Sequence, residues 1–216
     1  MSNTQFIFGY GSLVETESRT RTVPAAKDAS PVNVKGIHRG WFDQTPGNSL
    51  STTFLGAVSD PKFECNGVIF KVTQEELAAF DKRETGYTRK RIDQKDITML
   101  DGTNIPPAGD IWFYASTEKR YASPKFPIVQ SYVDICLNGC LELEAKYPEA
   151  KKKKFAVKFI ESTTDWSKYW VNDRIYPRRA FIYCPNANTI DGLIKTVLGE
   201  EMFSNIEIEP ASWERS

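Results

Sequence analysis

A chain of 216 residues with 40% apolar and 26% charged side chains is long enough to bury a substantial core within one domain. Its 28 basic and 28 acidic residues cancel, so no net field recruits nucleic acid or an anionic membrane, and a small molecule or another protein is the expected partner. The opening Met1-Ser2-Asn3-Thr4-Gln5 has no basic segment leading into an apolar one, and no apolar run approaches membrane-spanning length, so a cytoplasmic protein is expected.

The first strand signal, Phe6 to Tyr10, runs straight into Gly9-Tyr10-Gly11-Ser12-Leu13. Glycine lacks Cβ and tolerates positive φ, so such a turn lets the backbone approach a ligand and aim successive N–H groups into one concavity. Gly9 to Leu13 is therefore a candidate binding loop. Nucleotide binding fails on detail: Val14 stands where a dinucleotide fingerprint needs its third glycine, and no Gly-Lys-Ser/Thr makes a phosphate loop.

Further strands are expected over Val32 to Ile37, Gly67 to Val72, Arg91 to Leu100 and Asp110 to Tyr114, between clusters of Gly, Pro, Asn and Asp. Thr73-Gln74-Glu75-Glu76 is a capping box that opens a helix through Leu77 and Phe80 toward Glu84. Those three positions fall at i, i+3 and i+7, so Glu84 shares the face that holds the helix to the core. It also sits at the helix C-terminal end, just before Gly86, where the macrodipole is negative. Burial and dipole both disfavour its ionised form, and a glutamate with a raised pKa suits general acid/base work near neutral pH. The competing reading is an ion pair with Arg83, Arg89, Lys90 or Arg91.

Ile128 to Leu143 reads as a longer helix carrying Cys136 and Cys140 one turn apart, as small apolar residues. With Cys65 and Cys184 remote and His38 the single histidine, neither a disulfide framework nor a metal site is expected. The lysine run 151–154 reads as a solvated face. Residues 161–183, with Trp166, Tyr169, Trp170, Arg174, Arg178 and Arg179, read as an irregular aromatic-rich extension packed on the core, its charge offset by Glu161, Asp165 and Asp173. Strands early and helices late indicate one α+β domain over 1–216, with a core of 5–145 and an irregular extension over 146–216. Its sheet is a candidate for closure into a compact mixed β-barrel with flanking helices.

Two motifs, Phe8-Gly9-Tyr10-Gly11-Ser12-Leu13 and the run from Gly67-Val68-Ile69-Phe70 through Thr73, Glu76 and Phe80-Asp81-Lys82-Arg83-Glu84 to Gly86-Tyr87, stand in an order and spacing that resemble the γ-glutamylcyclotransferase-like superfamily. Leu13 brings the chain nearer the ChaC-like and avirulence-induced-protein-like branch than the simplest members, which carry Asn there. Val34 to Trp41 also resembles that family's second strand, and the likeness covers residues 5 to about 145. The resemblance implies a mixed β-barrel with flanking helices that releases 5-oxoproline from γ-glutamyl compounds without a metal or organic cofactor. It implies Glu84 as the catalytic glutamate and Tyr10, Gly11, Ser12 and Leu13 as the substrate-binding loop, with Tyr87 and Tyr132 shaping the pocket. The alternative is a non-catalytic small-molecule-binding or regulatory module on the same fold.

Overall fold

A computed structural model describes residues 4–47, 51–103, 106–178 and 184–208. Arg179 and the end of the expected irregular segment lie outside the described residues. Strand β1 (Gln5–Gly9) is followed by a short helix α1 (Thr16–Thr20) and by two long strands, β2 (Ser30–Thr45) and β3 (Thr52–Val72). Helix α2 (Gln74–Arg83) leads into β4 (Tyr87–Ile92), β5 (Ile97–Met99) and β6 (Asp110–Ser116). The remainder comprises β7 (Ile128–Val129), α3 (Gln130–Lys146), α4 (Pro148–Lys152), α5 (Phe155–Glu161), β8 (Thr163–Thr164), β9 (Trp170–Asn172), α6 (Ala187–Leu198), α7 (Glu200–Ser204) and β10 (Glu207–Ile208).

The main sheet runs β4-β6-β1-β3-β2-β5, with β8 beside β2. Its ladder is open at β4 and β5 among the described residues, so the closed barrel expected from the sequence is not formed. The expected strand over Arg91 to Leu100 is interrupted by a 3-10 turn at Gln94–Asp96, and its two halves pair at opposite edges of the sheet. Six flat strands would separate those edges by about 24 Å, yet the five residues from Ile92 to Ile97 reach at most about 18 Å. The sheet must therefore curl toward itself. Register shifts at Lys35/Ile37 and Trp41/Asp43 bend the long β2–β3 hairpin in keeping with this. Inside the curl, Phe8, Val34, Ile69, Ile92, Ile97 and Phe113 come from six different strands and form a core without helical residues. A second core packs the outer face against α2, α3, α5 and α6.

The expected helix from Ile128 begins instead as β7, because the β-branched pair Ile128-Val129 joins β9 at Trp170 and Val171. Helix α3 then runs to Lys146, and its N-terminal turn is capped from a distance: Ser131 donates to buried Asp173 from both its N–H (2.7 Å) and its Oγ (2.6 Å). Gly139 brings α3 against the chain after the binding loop, where a Cβ would lie 2.4 Å from the Glu15 nitrogen.

Among the described residues the extension over 146–216 is not irregular throughout: it carries four helices and three strands, with Phe155, Ala156, Phe159 and Ile160 of α5 and Ile190 and Ile194 of α6 buried in the outer core, while residues 162–178 hold only the short strands β8 and β9. Lys154 in the left-handed region and Gly199 at φ 91° divide this stretch into short helices, but α6 carries a full amphipathic period, with Ile190, Leu193, Ile194, Val197 and Leu198 at i, i+3, i+4, i+7 and i+8, that sequence reasoning missed. Cys136 and Cys140 are buried in α3, and Lys151 to Lys154 are exposed. Among the described residues no helix is long and apolar enough to cross a membrane.

Candidate active site

Beyond β1 the chain leaves the sheet through Tyr10 and Gly11 and tightens into a 3-10 turn at Ser12–Val14. The opening N–H groups of such a turn have no partner inside it and are available to a ligand. Of the two reasons expected for these glycines, positive φ and the missing Cβ, the first does not apply: Gly11 has φ −130°, and Gly9 is not among the positive-φ residues. Close approach explains them instead. A Cβ on Gly9 would lie 2.7 Å from Leu13 Cβ, and one on Gly11 would lie 2.7 Å from the Tyr132 hydroxyl. From behind, the buried Arg39 guanidinium donates to the Tyr10 carbonyl (3.3 Å) and the Asn66 carbonyl (2.6 Å), and also to Phe159 O and Thr163 Oγ1 in the extension. The loop is thus pinned between the sheet and the C-terminal helices.

Helix α2 starts on the complete capping box, with Thr73 and Glu76 bonded reciprocally, and buries Leu77 and Phe80. It ends on Glu84, the C-cap residue, and Gly86 at φ 98° turns the chain into β4 at Tyr87. The face that carries Leu77 and Phe80 therefore aims the Glu84 carboxylate inward, leaving its side chain 18% exposed. Burial pushes its pKa up; Arg83, whose Nε lies 3.1 Å from Oε1, offsets part of that, and nearby Asp43 adds to it. The ion-pair reading and the raised-pKa reading of Glu84 hold together, because burial outweighs the single cation.

Glu84 and the loop open onto one cavity of about 350 Å³. Tyr10, Gly11, Ser12 and Leu13 line one side, and Arg83, Glu84, Thr85 and Tyr87 another; Tyr132 from α3 closes over Gly11. Every site residue expected from the sequence borders this space. Tyr10 donates its hydroxyl to the Tyr114 carbonyl (2.6 Å), so its ring forms a fixed wall. Tyr87 is hydrogen-bonded to Asp43, and burial first, then the Asp43 charge, holds its phenol protonated. The Tyr132 ring sits between Phe54 (4.7 Å between centroids) and Trp41 (5.9 Å).

Three participants escaped sequence reasoning. Asp43 accepts from Ser116 Oγ at 2.8 Å and lies at a bulge of β2, whose extra residue decides which face it meets and leaves no mark in the sequence. Tyr114 looks like any strand aromatic. Arg83 was considered only as a counter-ion, although it lines the cavity itself. Gly11→Ala is expected to lower ligand turnover at least about tenfold, since the new methyl must displace the Tyr132 hydroxyl from packed surroundings. Adding Tyr132→Phe to that variant should recover part of the loss, a coupling that a double-mutant cycle on kcat/KM measures.

No protein-family model matches the chain, and neither does any curated protein sequence. Solved structures do resemble it. A gamma-glutamyl cyclotransferase aligns at 18% identity over 70% of this chain and 86% of its own, with a TM-score of 0.52. An uncharacterized protein from Homo sapiens aligns at 18% identity over 71% of this chain and 88% of its own, also with a TM-score of 0.52. A yeast gamma-glutamyl cyclotransferase specific to glutathione aligns at 10% identity over 74% of this chain and 96% of its own; its TM-score of 0.43 is too low to carry an argument.

Proposed function

We propose that this chain, which has the fold of a γ-glutamyl cyclotransferase, is a cytoplasmic enzyme that cyclises the γ-glutamyl group of a small peptide, amino acid or amine conjugate to 5-oxoproline. The observation that carries the reading is Glu84: a carboxylate with a raised pKa that lines the same cavity as the turn at Gly11, Ser12 and Leu13. Glu84 takes a proton from the substrate α-ammonium, and the freed amine attacks its own γ-carbonyl carbon. A new C–N bond closes the five-membered ring, and the old amide C–N bond then breaks. The departing amine receives the first proton from Glu84, and the second, shed by the ring nitrogen as the lactam forms, passes through Glu84 to the same amine, which leaves as its ammonium, so one group serves as base and as acid.

Nucleophile and electrophile belong to one molecule, so the protein must supply orientation, proton transfer and polarisation of the carbonyl. The N–H groups of Gly11, Ser12 and Leu13 serve the last of these, or anchor the γ-glutamyl moiety. The rings of Tyr10, Tyr87 and Tyr132 restrict its conformers. None of these steps calls for a metal or an organic cofactor.

The test is incubation with glutathione, γ-glutamyl amino acids and γ-glutamylamines, with 5-oxoproline measured against time. Release from at least one of them is expected. Saturable binding of a γ-glutamyl compound without release would favour a binding module on the same fold.

A further inference from the structure

The chemistry proposed for Glu84 leaves Arg83 unused, although it borders the same cavity. Arg83 supplies the cation among the cavity-lining residues, as Glu84 supplies the anion, and the two groups lie 3.1 Å apart at Nε and Oε1. Arg83 Nη1 donates to Thr22 Oγ1, which fixes the guanidinium on the side of the cavity nearest the chain that follows the loop. Its Nη2 donates no hydrogen bond to a described residue, so an edge of the planar fork remains for a ligand.

An α-amino acid head carries its ammonium and its carboxylate on one carbon. A carboxylate and a guanidinium on consecutive residues, in contact and facing one cavity, are the complement of that head. We infer that Arg83 binds the α-carboxylate of the γ-glutamyl group while Glu84 takes its α-ammonium, so that the site accepts γ-glutamyl compounds with a free α-carboxylate and rejects those in which it is capped as an amide. The inference rests on the γ-glutamyl reading given above. It assigns Arg83 to the α-carboxylate rather than to a carboxylate of the leaving group because Glu84 must touch the α-ammonium. The α-carboxylate is one carbon away from that nitrogen in every γ-glutamyl substrate, whereas a carboxylate of the leaving group lies beyond the scissile amide and is missing from amine conjugates.

A guanidinium meets a carboxylate through parallel, charge-assisted hydrogen bonds that an amide cannot match.

The test uses two substrates with the same leaving amine, one bearing a free α-carboxylate and one its α-carboxamide, with amine release followed for wild type, Arg83→Met and Arg83→Gln. Wild type is expected to prefer the carboxylate roughly ten- to a hundredfold in kcat/KM, the range of one charge-assisted hydrogen-bonded pair. Both variants should reduce that preference to within about threefold, because only the carboxylate substrate loses a charged contact, while any change at Glu84 acts on both substrates alike. Thr22→Val, which removes the anchor and keeps the cation, should retain the preference. Equal use of both substrates by wild type overturns the inference, and that result stands even if neither variant folds. So does an equal loss on both substrates in the variants, which marks Arg83 as structural. If wild type releases amine from neither substrate, the γ-glutamyl reading fails and takes the inference with it.

Discussion

Glu84→Gln is expected to lower turnover by about 10²–10⁴-fold, the usual contribution of a positioned acid/base, while leaving the fold intact. Glutamine keeps the shape and the hydrogen-bonding capacity of the side chain but cannot carry the proton. The stability of the variant follows from the direction of the pKa shift. Glu84 is held above the ordinary glutamate value, first by burial and further by Asp43, against the pull of Arg83. For a carboxyl group raised in this way, the associated stability is fully present below the unfolded-state pKa and is lost as pH rises through the folded-state pKa. The stability tied to this carboxyl therefore declines as pH rises, whereas glutamine does not titrate. Glu84→Gln should match wild type in thermal stability at neutral pH or exceed it, with the advantage fading in acid. Wild-type kcat/KM should fall on an acid limb above the normal glutamate range, and that limb should be absent from any residual activity of the variant. Melting curves and a pH–rate profile check both statements. A variant clearly less stable than wild type at neutral pH, with undiminished turnover, would make the Arg83 contact a structural clasp and sink the catalytic role.

What the sequence disclosed was local. The Thr73–Glu76 capping box and the Leu77/Phe80/Glu84 spacing depend on neighbours within two helical turns, so α2 and the aim of Glu84 followed from propensity and period alone. The loop was found for an incomplete reason: its glycines are required by Leu13 and by Tyr132, and the latter is 121 positions further along the chain, beyond any local rule. Asp43 comes to act on Tyr87 and Glu84 from behind the cavity wall at a bulge that shifts the register of β2, and Arg91 to Leu100 divides because its halves pair with different strands. Both are decisions made by the sheet as a whole. Helices α4, α5 and α7 span only one or two turns and take their order from packing on the outer core, whereas the stripe of α6 from Ile190 to Leu198 is a period the sequence does carry. Arg39 shows the same limit. It reads as one more basic residue in a strand, yet it joins the loop carbonyl of Tyr10 to α5 and β8.

Arg174→Met is expected to cost about 3–5 kcal/mol of folding stability, the range found when one partner of a buried ion pair is removed. Asp134, fully buried on α3, accepts from Arg174 Nε (2.8 Å) and Nη2 (2.8 Å), while Arg174 also reaches Asp191 on α6. Burial opposes the guanidinium's charge, but the two carboxylates outweigh it and hold its pKa above the ordinary arginine value. Methionine would leave Asp134 with Gln130 Nε2 and the Cys184 thiol as neutral hydrogen-bond partners and without the Arg174 charge. Asp191 is partly exposed and can turn to water, so the cost falls on Asp134. Changing Asp134→Asn as well should recover much of the loss, because an amide needs no counter-ion. Urea unfolding followed by tryptophan emission suits the measurement, since Trp166 stacks on Trp170 and packs against Trp41 beside the cavity wall. The position of the pair gives the result a bearing on the site. Asp173, the neighbour of Arg174, caps α3 at Ser131, one residue before Tyr132. Loss of Arg174 should therefore loosen the turn that holds Tyr132 over Gly11, raising amide hydrogen exchange at residues 131–134 before the sheet opens. A change in stability below about 0.5 kcal/mol, with exchange at that turn unaltered, would instead make the extension an appendage to a site complete without it.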